Sequence, residues 1–463
     1  MGENGRSADV RGDTIAAVAT APGRGALAVV RLSGAAAAAI AERTCSPWPV
    51  VPRTATRVTL HAPDDAGETL DDAIVTHFIA PASATGEDVV EFSVHGGPRV
   101  SAAVLAALVT AGARPALAGE FTERAVRNGK LDLLQAEAVA DLIEARSRAT
   151  HRTALRQLSG ALSVRLAALR ESLLEVEALI AYEIDFPEED NGPQPRERAS
   201  AAARAVLGAI DALLGTLPRA ELGRDGVTVV IAGAPNAGKS SLFNAMVGDP
   251  RAIVSEIPGT TRDAIEALLD DDPFPLRLVD TAGLRDGDDA LERLGVGVSE
   301  RRLAGAHLVL VCADDDAELV ASCATVAVLS TAPRIAVRTK SDLLAHAWAP
   351  PSALAAAAYV AVSAVTGAGL AAVRDAIRAA LQPLAPDPAE ELPAITRARH
   401  AHALGTARVE TAAFLEAWEA ATLPAPVVAT HLRAAVHALD ELVGAIDVEE
   451  VMERVFRSFC IGK

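Results

Sequence analysis

The chain has 463 residues, half of them apolar and 3% aromatic, with 43 Lys and Arg against 61 Asp and Glu. That length suits about three domains with sizeable cores. A formal net charge of −18 excludes broad electrostatic adhesion to nucleic acid or anionic membrane, so an RNA substrate would need a local basic face or a partner that supplies one.

In chain order, residues 1–13 are polar and lack the apolar core of a signal peptide, and no run of 18 uncharged apolar residues follows anywhere. No membrane span is expected. Residues 14–128 read as a small α/β unit. Thr14 to Thr20 and Ala26 to Leu32 are β-like runs joined by Pro22-Gly23-Arg24-Gly25; Ala73 to Ile79 and Val89 to His95 follow, then an alanine-rich helix from Ser101 to Thr110. The polar residues Arg31, Glu87, Glu91 and His95 near strand ends either line an anion or heterocycle site or form a solvated sheet edge.

From Leu131 the period becomes helical. Leu131, Leu134, Ala138 and Leu142 step by threes and fours, and a second stripe runs unbroken from Leu155 through Leu162, Leu166, Leu169, Leu173 and Val176 to Ile180. The stripe reads as bundle core and ends before Pro187 in an acidic run. The other end of the chain holds more helices. Beyond a proline-rich linker, Pro383 to Pro393, come Thr396 to Ala420, Val427 to Gly444 and Asp447 to Phe459, the last with Asp447 and Glu450 placed as a variant capping box.

Between the two helical parts stands Gly233-Ala234-Pro235-Asn236-Ala237-Gly238-Lys239-Ser240, a G-x-x-x-x-G-K-[ST] loop that follows the apolar run Val227 to Ala232 and opens a helix. Glycines let backbone N–H groups close on phosphates, and the helix N-terminus adds its positive dipole end. Lys239 would reach the β- and γ-phosphates, and Ser240 would ligate Mg2+. Gly259-Thr260-Thr261-Arg262-Asp263 is placed for a switch loop closing on Mg2+ and the γ-phosphate, with Thr261 as its threonine. Leu276 to Val279 leads to Asp280-Thr281-Ala282-Gly283, where Asp280 would stand behind Mg2+ and the Gly283 N–H would meet the γ-phosphate. Thr339-Lys340-Ser341-Asp342 is a [NT]-K-x-D signature, whose carboxylate accepts both N1–H and N2–H2 of guanine; Ser363-Ala364 would support the base from behind. These motifs, in this order, make a GTPase.

Taken together, the chain resembles the MnmE (TrmE) family of tRNA modification GTPases over nearly its whole length. The resemblance is carried by Asp13-Thr14-Ile15-Ala16-Ala17, Gly86-Glu87-Asp88-Val89-Val90-Glu91, His95-Gly96-Gly97-Pro98, Gly119-Glu120-Phe121-Thr122-Glu123-Arg124-Ala125, Asn128-Gly129-Lys130-Leu131-Asp132, Ile184-Asp185-Phe186-Pro187 and the terminal Phe459-Cys460-Ile461-Gly462-Lys463. It implies a multidomain fold, α/β plus all-α. An N-terminal α/β domain of folate-binding and dimerising type would span 1–128, and a discontinuous helical domain 129–222 and 383–463. A P-loop GTPase domain with a Ras-like doubly wound sheet would be inserted at 223–382.

The four cysteines, Cys45, Cys312, Cys323 and Cys460, have neither disulfide nor zinc spacing and suit the reducing cytoplasm. The resemblance further implies a homodimer that works with the flavoprotein MnmG (GidA), an FAD carrier, alone or in a heterotetramer. Together they would place an aminomethyl or carboxymethylaminomethyl group on C5 of the wobble uridine of certain tRNAs. The one-carbon donor would be 5-formyltetrahydrofolate or a related folate, held by Arg31, Glu91, Lys130 and Lys463, although Lys463 reads equally as a solvated terminus. The GTP site would run through Asn236, Ala237, Gly238, Lys239, Ser240 and Ser241, then Ser255, Glu256, Ile257, Pro258, Gly259, Thr260 and Thr261. It would continue through Asp280, Thr281, Ala282 and Gly283 to Thr339, Lys340, Asp342, Ser363 and Ala364. Leu284 stands where Ras-like enzymes place a water-orienting Gln, and an aliphatic chain cannot orient water. Glu292 matches the family's substitute; the alternative is a surface glutamate beside Arg293. K+ would bind Asn236, Ser255, Ile257 and Thr260 and neutralise charge developing on the phosphates. Cys460 is either a nucleophile or, between Phe459 and Ile461, a packing residue.

A ribosome-assembly GTPase acting as a GTP-gated RNA-binding module shares every motif from Gly233 to Gly367. Against it, residues 385–463 carry 7 Lys and Arg and 12 Asp and Glu, with no basic RNA-binding domain to be read there. An interaction scaffold shaped by its nucleotide fits the long helices and leaves the N-terminal motifs unexplained.

Overall fold

The computed structural model describes residues 12–64, 68–185, 196–248, 254–255, 266–280, 302–344, 346, 348–384, 393–421, 423–443, 456, 459 and 462. These fall into two compact units, one formed by 1–140, 157–170 and 436–463, the other by 141–156 and 171–435.

The first unit is built on a seven-stranded sheet in the order β3-β4-β5-β6-β2-β1-β7. Its strands are β1 (Ile15–Val18), β2 (Leu27–Ser33), β3 (Cys45–Ser46), β4 (Thr56–His61), β5 (Thr69–Phe78), β6 (Val89–His95) and β7 (Arg114–Pro115). β1 and β7 run parallel and the other neighbours antiparallel. Alternation sorts the faces. Val30, Leu32, Val90, Phe92 and Val94 enter one core with Val104 and Leu108 of α2 (Pro98–Thr110), and with Ile40 and Ala41 of α1 (Ala37–Glu42). On the opposite face Ile15 and Ala17 meet Ala116 and Phe121, the latter from α3 (Glu120–Arg127). The strand β4 escapes the sequence reading because its alternation is short, with only Val58 and Leu60 buried.

Next come α4 (Leu133–Glu144), α5 (Arg148–Leu158) and α6 (Ala161–Asp185). The stripe read as continuous from Leu155 to Ile180 is broken at Gly160, whose φ of +84° stops α5 and restarts a new helix one residue on. A hydrophobic period survives such a break, since it counts residues and is blind to backbone sign. The Leu133 and Ala136 side chains of α4 pack with Phe456 and Phe459. The helix expected over Asp447 to Phe459 otherwise lies outside the described residues.

In the second unit α7 (Arg196–Leu214) pairs antiparallel with α12 (Ala398–Ala420). Arg196 stacks 4.2 Å above the Trp418 ring and Arg408 meets Asp211 at 2.5 Å. The stretch 196–225 is by length and composition apolar enough to cross a bilayer, with mean hydropathy 1.4 in its best window. Its apolar stripe of Ala199, Ala203, Val206, Ile210 and Leu213 is buried inside the unit, which is the signature of a bundle helix. α8 (Leu217–Asp225) leads into the second sheet, and α13 (Ala425–Val443) follows α12.

That sheet has the order β14-β13-β12-β8-β11-β10-β9, made of β8 (Val227–Ala232), β9 (Val254–Ser255), β10 (Glu266–Leu269), β11 (Leu276–Asp280), β12 (Leu308–Ala313), β13 (Arg334–Arg338) and β14 (Ala358–Ala361). β14 through β11 are parallel; β10 and β9 continue antiparallel. Both faces are covered, which is why these strands read as apolar runs. Val227, Val229 and Ile231 of β8 face α9 (Lys239–Val247) and α11 (Leu370–Leu381) through Leu242, Phe243, Val373 and Ile377. Val230 and Ala232 face α10 (Asp316–Leu329) through Leu319 and Cys323. This is a P-loop GTPase sheet with β8 in its centre.

Candidate nucleotide site and its N-terminal counterpart

In an open parallel sheet, ligands bind beyond the carboxyl ends of the strands where the strand order reverses. β8 is that point, since its neighbours β11 and β12 both come later in the chain. The loop 233–238 leaves β8 through residues in the left-handed region: Gly233 at φ +145°, Asn236 at +63° and Gly238 at +79°. Gly238 caps α9, so the loop's amides and the helix N-terminus share one concavity. Lys239 is nearly buried and donates from Nζ to the Ala234 carbonyl at 2.7 Å, which keeps the ammonium over the loop. Asn236, Ser240 and Ser241 are exposed, and Ala237 is buried.

The other loops are stitched to this one. Thr339, after β13, donates from Oγ1 to the Ala237 carbonyl at 2.9 Å. The Ser341 amide donates to the Val362 carbonyl at 3.1 Å, tying the loop after β13 to the one after β14. Lys340, at φ +52°, pairs through Nζ with Asp314. Asp342 is exposed on the short 3-10 turn Ser341–Leu343. Ser363 is fully buried and accepts from the Thr366 amide at 3.2 Å, with Ala364 beside it. Asp280, at the end of β11 next to β8, is fully buried. The sequence reading missed Asp314, whose only local mark is its place just past β12.

Ser255 lies on β9, its backbone paired with Leu268. Glu256, Ile257, Pro258, Gly259, Thr260 and Thr261 lie outside the described residues, as do Thr281, Ala282, Gly283 and Glu292.

In the first unit, Arg31 and Glu91 are direct cross-strand partners on β2 and β6, with Nε donating to Oε1 at 2.9 Å. The Arg31 guanidinium stands 5.6 Å over the Phe121 ring. Two residues on, Ser33 donates to Glu87 at 2.8 Å, and Arg124 reaches the same carboxylate at 3.2 Å. Arg124 also binds Asp13 and Glu120, and Arg114 binds both acids in turn. Burial works to raise the Glu120 pKa; hydrogen bonds from Arg114, the Leu117 amide and Arg124 outweigh it and hold the carboxyl below its usual range. Glu87 is thus claimed by a buried network that the sequence signals only through the Glu120–Arg124 spacing. His95 is exposed and engages Asp71 at 2.6 Å, four residues along β6 from Glu91.

Lys130 donates to the Pro81 carbonyl at 3.1 Å, and its stem lies against Gly86, where a Cβ would stand 3.2 Å from the Lys130 Cγ. The chain's end returns to this unit. A Cβ on Gly462 would fall 2.3 Å from the Val18 carbonyl oxygen, on β1 beside Arg31's strand. Lys463 and Cys460 lie outside the described residues.

Comparison with known proteins agrees with both halves. The model of the MnmE helical domain matches residues 133–460, and that of the GTP-binding protein TrmE N-terminus matches 14–130. A protein of Methylorubrum populi named tRNA modification GTPase MnmE is 44% identical over 463 residues, covering 98% of this chain and 99% of that one. Namesakes from Azoarcus sp. strain BH72 and Thermus thermophilus are 42% and 44% identical, each over 97% of this chain and 98% and 99% of theirs. With a nucleotide loop built as described and similarity running nearly end to end, the chain belongs to the MnmE family of tRNA modification GTPases.

Proposed function

We propose that this chain binds and hydrolyses GTP at the loop 233–240 and uses the cycle to modify tRNA at C5 of the wobble uridine, with a flavoprotein of the MnmG type as partner and a tetrahydrofolate one-carbon unit as donor. The observation that carries the reading is the stitched loop set beyond β8, β13 and β14, with the buried Asp280 at the end of β11, on a chain alike over 97% of its length to proteins named tRNA modification GTPase.

The residues fit the groups this reading requires. Asp280 offers a buried carboxylate and Ser240 an exposed hydroxyl at the helix start, a donor set of the hard-oxygen type that Mg2+ takes. The exposed Asn236 amide, in a left-handed loop position, suits a K+ ligand, with Ser255, Ile257 and Thr260 as its companions. Bound there, the cations would neutralise charge on the phosphates. Thr261, Gly283 and Glu292 are assigned to the hydrolytic step by the family pattern, Glu292 orienting water.

In the first unit Glu91 accepts Arg31 at one oxygen, which leaves acceptor capacity on the other for a donor-rich heterocycle. Lys130 and Lys463 are assigned to the acidic tail of the folate. The domain limits 1–128, 129–222, 223–382 and 383–463, a homodimer joined through the first of these, and a cytoplasmic site of action belong to the same proposal.

The test is mass spectrometry of tRNA nucleosides from cells lacking the protein. Aminomethyl-type wobble uridines should vanish and return with the wild-type chain, but not with Asp280→Ala. Intact wobble uridines together with accumulating ribosome precursors would overturn the reading in favour of an assembly GTPase.

A further inference from the structure

An acidic protein that acts on RNA needs a local basic face or a partner that supplies one, and one stretch of the sequence is rich enough in arginine to offer such a face. Residues 145–170 hold six arginines and a histidine without a single Asp or Glu, in a chain of net charge −18. Arg148, Arg152 and Arg156 recur every fourth residue along α5 and so share one face, about 6 Å apart per step.

The structure puts part of that face on a cleft. A cavity of about 720 Å³ in the second unit is lined by Arg146, Arg152 and Arg156 from one side and Arg219 and Arg224 of α8 from the other. Two carboxylates, Asp141 and Glu144, share the lining. Asp141 is engaged by Arg397 at 2.6 Å, while Arg146 meets Asp270 at 3.7 Å and Arg224 meets Asp225 at 2.9 Å, so the lining itself sets five guanidinium groups against two carboxylates. Its walls are set by packing: α8 approaches α5 at Gly223, where a Cβ would stand 2.8 Å from the Thr150 methyl. The rest of the lining is uncharged, with Ala149, Ala212, Ala220 and Thr216, and it includes Leu268 of β10 and Phe274.

We infer that this cleft holds a phosphodiester strand of RNA, the tRNA of the reading above, on which this inference rests. Guanidinium groups clamp phosphates bidentately. Arg152 and Arg156 stand one helical turn apart, a spacing of the order of that between neighbouring phosphates on a strand. Arg219 faces them across a floor without charge, which suits the edge of a base or ribose. The occupant reaches Leu268, three residues beyond the segment 256–265 that the family pattern gives to the GTP switch.

The experiment measures binding of unmodified tRNA to the full chain as a function of salt, for wild type, for Arg152→Ala/Arg156→Ala/Arg219→Ala and for the matching triple Lys variant. The Ala variant should bind about tenfold or more weakly at physiological salt, with the slope of log K against log salt reduced by about 2. The Lys variant should keep most of the slope, and unchanged GTP turnover certifies that both are folded.

Wild-type affinity and slope in the folded Ala variant would overturn the cleft and leave the tRNA reading standing. Absence of wild-type binding to tRNA would overturn both. Loss of partner flavoprotein binding with tRNA affinity intact would reassign the cleft to an acidic protein surface. Displacement of tRNA by inorganic phosphate as readily as by an oligoribonucleotide, at equal ionic strength, would reduce it to a small-anion site.

Discussion

Gly233 and Cys312 face each other so closely that a Cβ on the glycine would stand 2.1 Å from the cysteine's carbonyl oxygen. The obstacle is backbone of the central strand β12, which cannot turn aside as a side chain would. Gly233→Ala should therefore destabilise the second unit by about 2 kcal/mol or more, through overpacking and through strain at φ +145°. Nucleotide affinity should fall with it, because the same residue opens the phosphate loop. Urea unfolding and binding of a fluorescent GTP analogue check both. An alanine variant with wild-type stability would show that β8 and β12 can part at low cost.

Glu292→Ala separates binding from hydrolysis. It should leave GTP affinity near wild type and lower turnover by about 10²-fold or more, the usual scale for removing a general base. Turnover by the wild type should also be faster in K+ than in Na+. Equal rates in the two salts would remove Asn236 from the cation site, and an unaffected Glu292→Ala would remove that glutamate from the chemistry.

The Asp13–Arg114–Glu120–Arg124 network predicts acid sensitivity in the first unit. The Glu120 pKa is depressed on folding, so its contribution is fully present above the unfolded value of about 4.3 and is lost as pH falls through the lower folded value. Asp13 shifts the same way: burial opposes, and hydrogen bonds from Arg114 and Arg124 prevail. Glu120→Gln should cost about 1–3 kcal/mol at pH 7, since it leaves two arginines short of a buried partner. It should also flatten the loss of stability below pH 4.3. Hydrogen exchange of peptides covering 27–33 and 89–95, corrected for intrinsic rate, reads both effects.

Gly462→Ala tests the return of the chain's end. The added methyl would meet the Val18 carbonyl oxygen and the Ala19 Cα, so the terminus should detach from β1. Folate binding and tRNA modification should drop about tenfold or more, while GTP turnover stays at the wild-type level. If modification persists, the docked terminus is only structural.

The GTP site was legible in the sequence because its chemistry depends on local spacing. Gly238 and Lys239 must follow Gly233 by five and six residues to form the loop, and Asp342 must follow Lys340 by two. The stitching of that site was not legible. Nothing near Thr339 announces the Ala237 carbonyl, which is 102 residues away. The same holds for Arg124, whose partners Asp13 and Glu87 lie 111 and 37 residues off. Glu87, grouped with Arg31 and Glu91 by its place near a strand end, proves to serve that network. Gly160 shows the opposite limit: the hydrophobic period ran straight across a residue whose backbone sign ends the helix.

Phe456 and Phe459, buried against Leu133 and Ala136 and against the backbone at Gly119, also set the order in which the protein is completed. Domains ordinarily mature as they leave the ribosome, first made and first folded. Here the earliest-synthesised unit waits for the last residues of the chain before its surface at α3 and α4 is covered. A chain lacking residues 456–463 would keep its GTPase sheet whole, while the oldest part of the chain presents an apolar patch to whatever quality-control machinery meets it.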